Sequence, residues 1–188
     1  MASILENAAV RDAALPISVE QYHQMGETGI IAADTELLHG VIVKKMVKSP
    51  EHTWLVQRLL EWLRSVLPAG YHLRQEQPLT FGDSEPEPDI AVVLGSAEDF
   101  RRRHPETASL VIEVAITSEA LDREKGQAYA AANVAHYWLV LPHQRIVECY
   151  RTPTPQGYGE VRIVELDDGL ELPLGSGGGL AVSDLFAS

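Results

Sequence analysis

The chain has 188 residues, 45% hydrophobic and 22% charged, an ordinary globular composition that excludes disordered and fibrous classes. Its formal net charge is −12, from 15 Lys+Arg against 27 Asp+Glu, which counts against a broad basic face for nucleic acid. A local basic site, or contact through metal ions, remains open. The single cysteine, Cys149, excludes an internal disulfide and a multi-cysteine zinc site.

Residues 1–16 carry no strong pattern and read as a flexible N-terminal arm, leaving residues 17–188 as a single domain. The N-terminus lacks a basic segment followed by an apolar one, so no signal peptide is expected. No apolar run approaches the ~20 residues of a membrane span, and the chain reads as cytoplasmic with no membrane partner. "SVEQYHQM" begins with Ser18 and carries Gln21 three residues on, a capping-box signature for a short helix. "ELLHGVIVKKM" reads as two strands turning at His39-Gly40. Ser49-Pro50 then opens a firm helix through "EHTWLVQRLLEWLRSVL", with Trp54, Leu55, Leu59, Trp62, Leu63 and Val66 as its apolar stripe and Pro68-Ala69-Gly70 as its stop.

From Tyr71 the character changes to strands. "HLRQEQPLTF" alternates, "PDIAVVL" and "SLVIEVAI" are short apolar runs, and "HYWLVL" and "RIVECYR" follow around a turn at Pro142-His143-Gln144. Between the third and fourth lies "DREKGQAYAAANV", Ala-rich and helical apart from Gly126. A strand "EVRIVEL", a turn at Asp167-Asp168-Gly169, a glycine loop from Gly175 to Gly179 and a short "SDLF" complete the chain. A helix crossing between strands predicts an α/β class, a mixed sheet flanked by helices. Cys149 falls in an alternating strand and reads as a small buried hydrophobe.

Chemistry concentrates on a few residues. Asp89 follows Pro88, where a loop enters the strand "DIAVVL"; alone it would be a turn residue. Glu113 shares a strand face with Val111 and Ala115, while Ile112 and Val114 take the other, so both faces are apolar. An ionised carboxylate there costs several kcal/mol unless something meets it. Two neighbouring strands can bring Asp89 and Glu113 together, to share a proton or hold a divalent cation such as Mg²⁺. If a helix begins near Asp122, then Asp122, Lys125 and Tyr129 lie on one stripe. By position alone Asp122 and Lys125 make a surface ion pair; in the functional reading the Lys125 ammonium faces the metal site. The basic groups Arg101-Arg102-Arg103-His104 and Lys44, Lys45, Lys48 read as solvated faces or, alternatively, as phosphate contacts. "GSGGG" lacks the helix and lysine of a phosphate-binding loop.

The string of "EPEPDIAVVLG", "SLVIEVA" and "DREKGQAYAAANVAHYWLVLPHQRIVECYR" resembles the bacterial restriction endonucleases called Uma-two type, of the PD-(D/E)XK nuclease superfamily. The similarity runs from "ELLHGVIV" through "SPEH" to "SDLF". It implies a restriction endonuclease-like core with an N-terminal helix and β-hairpin annex. It also implies a metal-dependent endonuclease of DNA, with Asp89 and Glu113 holding Mg²⁺ (or Mn²⁺) and Lys125 assisting the attacking water. The superfamily's lysine position is Ala115 here, and the resemblance moves that role to the following helix, at Lys125. Glu36 and His52 match further family positions, and Asp122 is a possible addition. His39 and Val41, where the family hairpin carries acids, and "AITSEA" in place of its Ser-Pro depart from the pattern. Cleavage of both strands implies a homodimer. Two other readings stay open: a catalytically inactive nuclease-fold protein acting as a binding module, favoured by Ala115 and the acidic balance, and an enzyme of nucleotides or small phosphoesters.

Overall fold

The computed structural model describes residue 9, residues 13–175 and residues 178–187. Most of the arm expected over residues 1–16, and residues 176 and 177 of the glycine loop, lie outside the described residues. Helix α1 (Val19–Glu27) starts at Ser18, whose hydroxyl accepts from the Gln21 amide while the Gln21 side chain accepts from the Ser18 amide. Strands β1 (Thr35–Leu38) and β2 (Val41–Lys44) form the expected hairpin, with Glu36 opposite Val43. His39 and Gly40 both take positive φ in its turn. Helix α2 (Pro50–Val66) is capped by the Ser49 hydroxyl on the His52 amide, with Pro50 at its first position.

The body of the molecule is a six-stranded mixed sheet in plain sequence order: β3 (Tyr71–Gln75), β4 (Ile90–Leu94), β5 (Leu110–Val114), β6 (His136–Leu141), β7 (Ile146–Thr154) and β8 (Gly157–Val164). Every neighbouring pair is antiparallel except β5 and β6, which run parallel because helix α3 (Glu119–Ala131) crosses between them. A small antiparallel pair, β9 (Gly169–Glu171) and β10 (Gly179–Ala181), and the short helix α4 (Val182–Leu185) close the chain.

Alternation along the strands builds two cores, one on each face of the sheet. On one, Leu55, Leu59, Leu60 and Leu63 of α2 pack on Ile90, Val92, Ile112 and Val140, with α4 alongside. On the other, Tyr129 of α3 packs on Ala91, Val111, Ala115, Tyr137 and Leu139. Each fully buried leucine or isoleucine contributes roughly 1.5–3 kcal/mol. Cys149 packs half-buried against the first core, and burial pushes its thiol up to about 12, in keeping with a structural role.

Three expectations are corrected in detail. Trp54 is not in the buried stripe of α2: it is 39% exposed under the Arg58 guanidinium, and Val56 and Leu60 take the inward positions. The strand expected over "HLRQEQPLTF" ends at Gln75, because Glu76 adopts positive φ and Pro78 has no amide to continue a ladder. Helix α3 begins at Glu119 rather than Asp122 and runs unbroken through Gly126.

Gly126 is helical for a packing reason. A Cβ there would stand 2.9 Å from Cε1 of Tyr137. That ring cannot easily yield, since it stacks on Tyr150 and its hydroxyl donates to the Asp122 carbonyl at 2.8 Å. Alanine would gain roughly 1 kcal/mol of helix propensity but overpack the contact at a cost of roughly 1–3 kcal/mol. Gly126→Ala is therefore expected to lower stability by roughly 1 kcal/mol, read as a lower urea midpoint at unchanged slope.

Candidate active site

Asp89 lies one residue before β4, and the β4–β5 register pairs Ile90 with Ile112. That register sets Asp89 beside Glu113, and the two are stitched through the backbone. The Asp89 amide donates to Glu113 Oε2 at 3.2 Å, and the Val114 amide donates to Asp89 Oδ2 at 2.8 Å. Nε2 of His52, from the first turn of α2, donates to the same Asp89 oxygen at 3.0 Å, leaving the buried His52 Nδ1 without a partner. Asp89 Oδ1 takes no hydrogen bond among the described residues.

The Lys125 ammonium comes from the opposite side, on α3. It lies 3.2 Å from Glu113 Oε1, 2.9 Å from Glu36 Oε2 and 3.7 Å from Asp122 Oδ1. The surface-pair reading of Asp122 and Lys125 is thereby overturned, since both are buried. Glu36 reaches in from β1, and its Oε1 accepts from the Glu87 amide at 3.1 Å. Asp122 is held through its other oxygen by the Ser118 hydroxyl. All six of the residues singled out from the sequence, Glu36, His52, Asp89, Glu113, Asp122 and Lys125, thus converge on one cavity of about 70 Å³.

Tyr129 completes the set. Its hydroxyl donates to Glu113 Oε1 at 2.7 Å from a fully buried position. Its place on the Asp122–Lys125 stripe was visible in the sequence, but nothing there distinguished a ligand of the carboxylate from core filling.

The electrostatics follow from burial. Three buried carboxylates, those of Glu113, Glu36 and Asp122, face the Lys125 ammonium, and Asp89 is buried beside Glu113. Burial raises Glu113 well above the usual carboxylate range, with Asp122, Asp89 and Glu36 adding to the rise and Lys125 opposing it. Asp122 is raised by burial too, against Lys125 and the Ser118 hydrogen bond. For Lys125, burial pulls downward, but Glu113, Glu36 and Asp122 together outweigh it and the ammonium is held above its ordinary value. An excess of buried negative charge, made of hard oxygen donors, fits a divalent cation of the Mg²⁺ or Mn²⁺ type. No ready-made cluster of three ligands exists among the described residues. Such an ion would rely on Asp89 and Glu113 plus water and substrate oxygens, the ordinary habit of Mg²⁺.

At the cavity mouth Lys45 pairs with Glu87 and Lys48 with Glu76, each at 2.6 Å, flanking Met46 and the exposed Val47. Lys44, by contrast, makes an exposed pair with Asp34.

The family model Uma2, described as "Putative restriction endonuclease", matches residues 19–183. The chain belongs to the Uma2 family. A solved structure described as "a putative nuclease belonging to DUF820", from Anabaena variabilis ATCC 29413, superposes on this Uma2 chain with a TM-score of 0.76. The two are 21% identical, over 92% of this chain and 98% of that one. That likeness establishes the fold, which is the mixed-sheet, restriction endonuclease-like arrangement that the sequence resemblance implied. No curated protein matches the sequence. Among the described residues no helix is long and apolar enough to cross a membrane.

Removing one partner from a buried charge network typically costs about 3–5 kcal/mol. Lys125→Met should lower the unfolding free energy by that order, about 3 kcal/mol or more, in urea at pH 7. Adding Glu113→Gln to it should recover part of the loss. Strictly additive effects in that double-mutant cycle would show that the two side chains are not coupled.

Proposed function

We propose that the protein is a metal-dependent endonuclease that hydrolyses phosphodiester bonds of DNA. The observation that carries this reading is Lys125 Nζ at 3.2 Å from Glu113 Oε1, with the Asp89 amide on the other oxygen of the same carboxylate. Two acids and a lysine thus meet at the end of paired strands in a restriction endonuclease-like fold, although the lysine comes from a helix. Membership of a family described as restriction endonucleases, and the fold shared with a protein described as a nuclease, point the same way.

In this reading Asp89 and Glu113 hold Mg²⁺ or Mn²⁺. A divalent ion held there would supply Lewis-acid chemistry at the scissile phosphate. His52 fixes the orientation of Asp89 through Nε2, and Tyr129 does the same for Glu113. Lys125 gives two of its three N–H donors to Glu113 and Glu36, and the third would position the attacking water or stabilise charge developing on a phosphate oxygen. Glu36 and Asp122 keep the ammonium over the site from two further sides. In this reading the scissile phosphate meets the acids at this cavity of about 70 Å³. Cutting both strands takes two such sites, hence a homodimer.

The binding-module alternative rests on Ala115 and the net charge of −12. The meeting of Asp89, Glu113 and Lys125 in one cavity weakens it, because a module that only binds has no need of all three together. Incubating the full chain with plasmid in Mn²⁺ or Mg²⁺ should give metal-dependent cleavage that EDTA stops. Glu113→Gln, Asp89→Asn and Lys125→Met should each slow it by about 100-fold or more. Cleavage that persists in Glu113→Gln, or none with either metal, would remove the nuclease reading.

A further inference from the structure

A second polar assembly stands apart from the acid cluster. Arg74 of β3 is almost wholly buried, yet no carboxylate pairs with it among the described residues. Its Nη2 donates to the Pro78 carbonyl at 3.2 Å and to His104 Nδ1 at 3.1 Å, its guanidinium lies 5.5 Å from the Phe100 ring, and its Nε has no partner at all. A buried cation without a counter-ion is costly, and it leaves a fixed positive charge under the surface. Because Arg74 can only donate, His104 must accept at Nδ1 and carry its proton at Nε2.

Above this support run Arg101, Arg102 and Arg103, all exposed. Arg101 pairs with Glu98 at 3.3 Å and Arg103 with Glu106 at 3.8 Å, but these pairs lie in solvent and cost little to exchange. Arg102 has no ion-pair partner among the described residues. Two open grooves, of about 740 and 440 Å³, meet along the ridge formed by Phe100, Arg103 and His104. Both are far larger than the acid cavity and open to solvent.

The ridge lies on the same side of the sheet as the acids. Arg74 is directly opposite Ala91, two residues beyond Asp89 on β4, so all three share one face. Glu76 lines the acid cavity, and Thr80, which lines the larger groove, donates its amide to the Pro105 carbonyl at 2.9 Å. The chain from Glu76 to Thr80 can span at most ~14 Å, so the two features are separated by no more than a few nucleotides.

We propose that Arg101, Arg102 and Arg103, with the Nε2–H of His104, bind the DNA backbone a few nucleotides from the scissile bond, on a ridge held by Phe100 and Arg74. This rests on the nuclease reading for the identity of the ligand. The ridge gives an acidic protein a local cationic contact, and it sets the direction in which the strand leaves the acid cavity. Its contacts are to phosphates, so they position the duplex without reading sequence.

The test is metal-free binding of a fluorescently labelled duplex to the full chain, by anisotropy, from 50 to 200 mM NaCl. Replacing all three arginines (R101A/R102A/R103A) should weaken binding at least tenfold at the lowest salt. It should also make the slope of log K against log salt shallower by about 2–3, close to one per lost phosphate contact. Because the three side chains are exposed, an unchanged circular-dichroism melt is the control for folding. R102E alone should weaken binding in the same direction. Equal affinity and slope in wild type and triple variant would overturn the proposal, as would a wild type that binds no duplex. A wild type that binds with the full slope, loses it in the variant and never cuts with Mn²⁺ would keep the ridge and remove the nuclease reading. A wild type that cuts, with binding unchanged in the variant, would do the reverse.

Discussion

A carboxylate in the middle of a strand with core on both faces must be met by donors or give up its charge, and Glu113 is met from three directions. The Asp89 amide comes from the neighbouring strand, the Tyr129 hydroxyl and the Lys125 ammonium from the crossing helix. None of these donors is local to Glu113, so its environment exists only once β4, β5 and α3 are docked. The contact therefore couples the chemistry of the site to completion of the fold. It also explains why α3 approaches the sheet so closely, through Gly126 on Tyr137, since a helix held further out could not deliver Lys125 to Glu113.

The place of Lys125 on the helix follows from the same packing. Ala115 is on the Glu113 face of β5, buried in the core with Tyr129 and Leu139. A lysine there would have to thread its ammonium through the layer that α3 already fills. Placing the cation on the helix lets the sheet keep a small side chain at Ala115 and still bring a positive charge to the carboxylate. Lys125 then touches Glu36 and Asp122 as well as Glu113, which ties the β1–β2 hairpin to the body of the protein through charge. The hairpin is further tied by the Leu37 and Glu85 backbone pair.

Much of this could be read from the chain alone, because the relevant signals are local. Ser49-Pro50, the alternation around Glu113 and the spacing of Asp122, Lys125 and Tyr129 each depend on a few adjacent residues. What failed did so for non-local reasons. Trp54 reads as part of the buried stripe because it is large and apolar, but Val56 and Leu60 take the buried positions and Arg58 covers the indole. The early start of α3 has no capping signature, because Ser118 spends its hydroxyl on the Asp122 side chain rather than on a backbone amide. His52 was named by resemblance, yet its contact with Asp89 spans two elements far apart in sequence and has no signature in either. The burial of the Asp122–Lys125 pair was equally hidden, since helical spacing gives the stripe but not the side that faces the sheet.

The net charge of −12 weighs less against a polyanionic ligand than its size suggests. At physiological ionic strength exposed charges are screened over ~8 Å, so a phosphate responds to the groups around it and not to the sum over the chain. The acids that dominate the site are confined to a narrow cavity and partly answered by Lys125, where they can serve a cation. The basic groups lie outside it, at the mouth as Lys45 and Lys48 and along the ridge at Arg101 to Arg103. Each lysine at the mouth is already paired with a glutamate that also lines the cavity. An incoming backbone must compete for those lysines, whereas the ridge offers Arg102 unpaired and its neighbours only weakly held. On the proposed nuclease reading, electrostatics favours first contact at the ridge over contact at the mouth lysines.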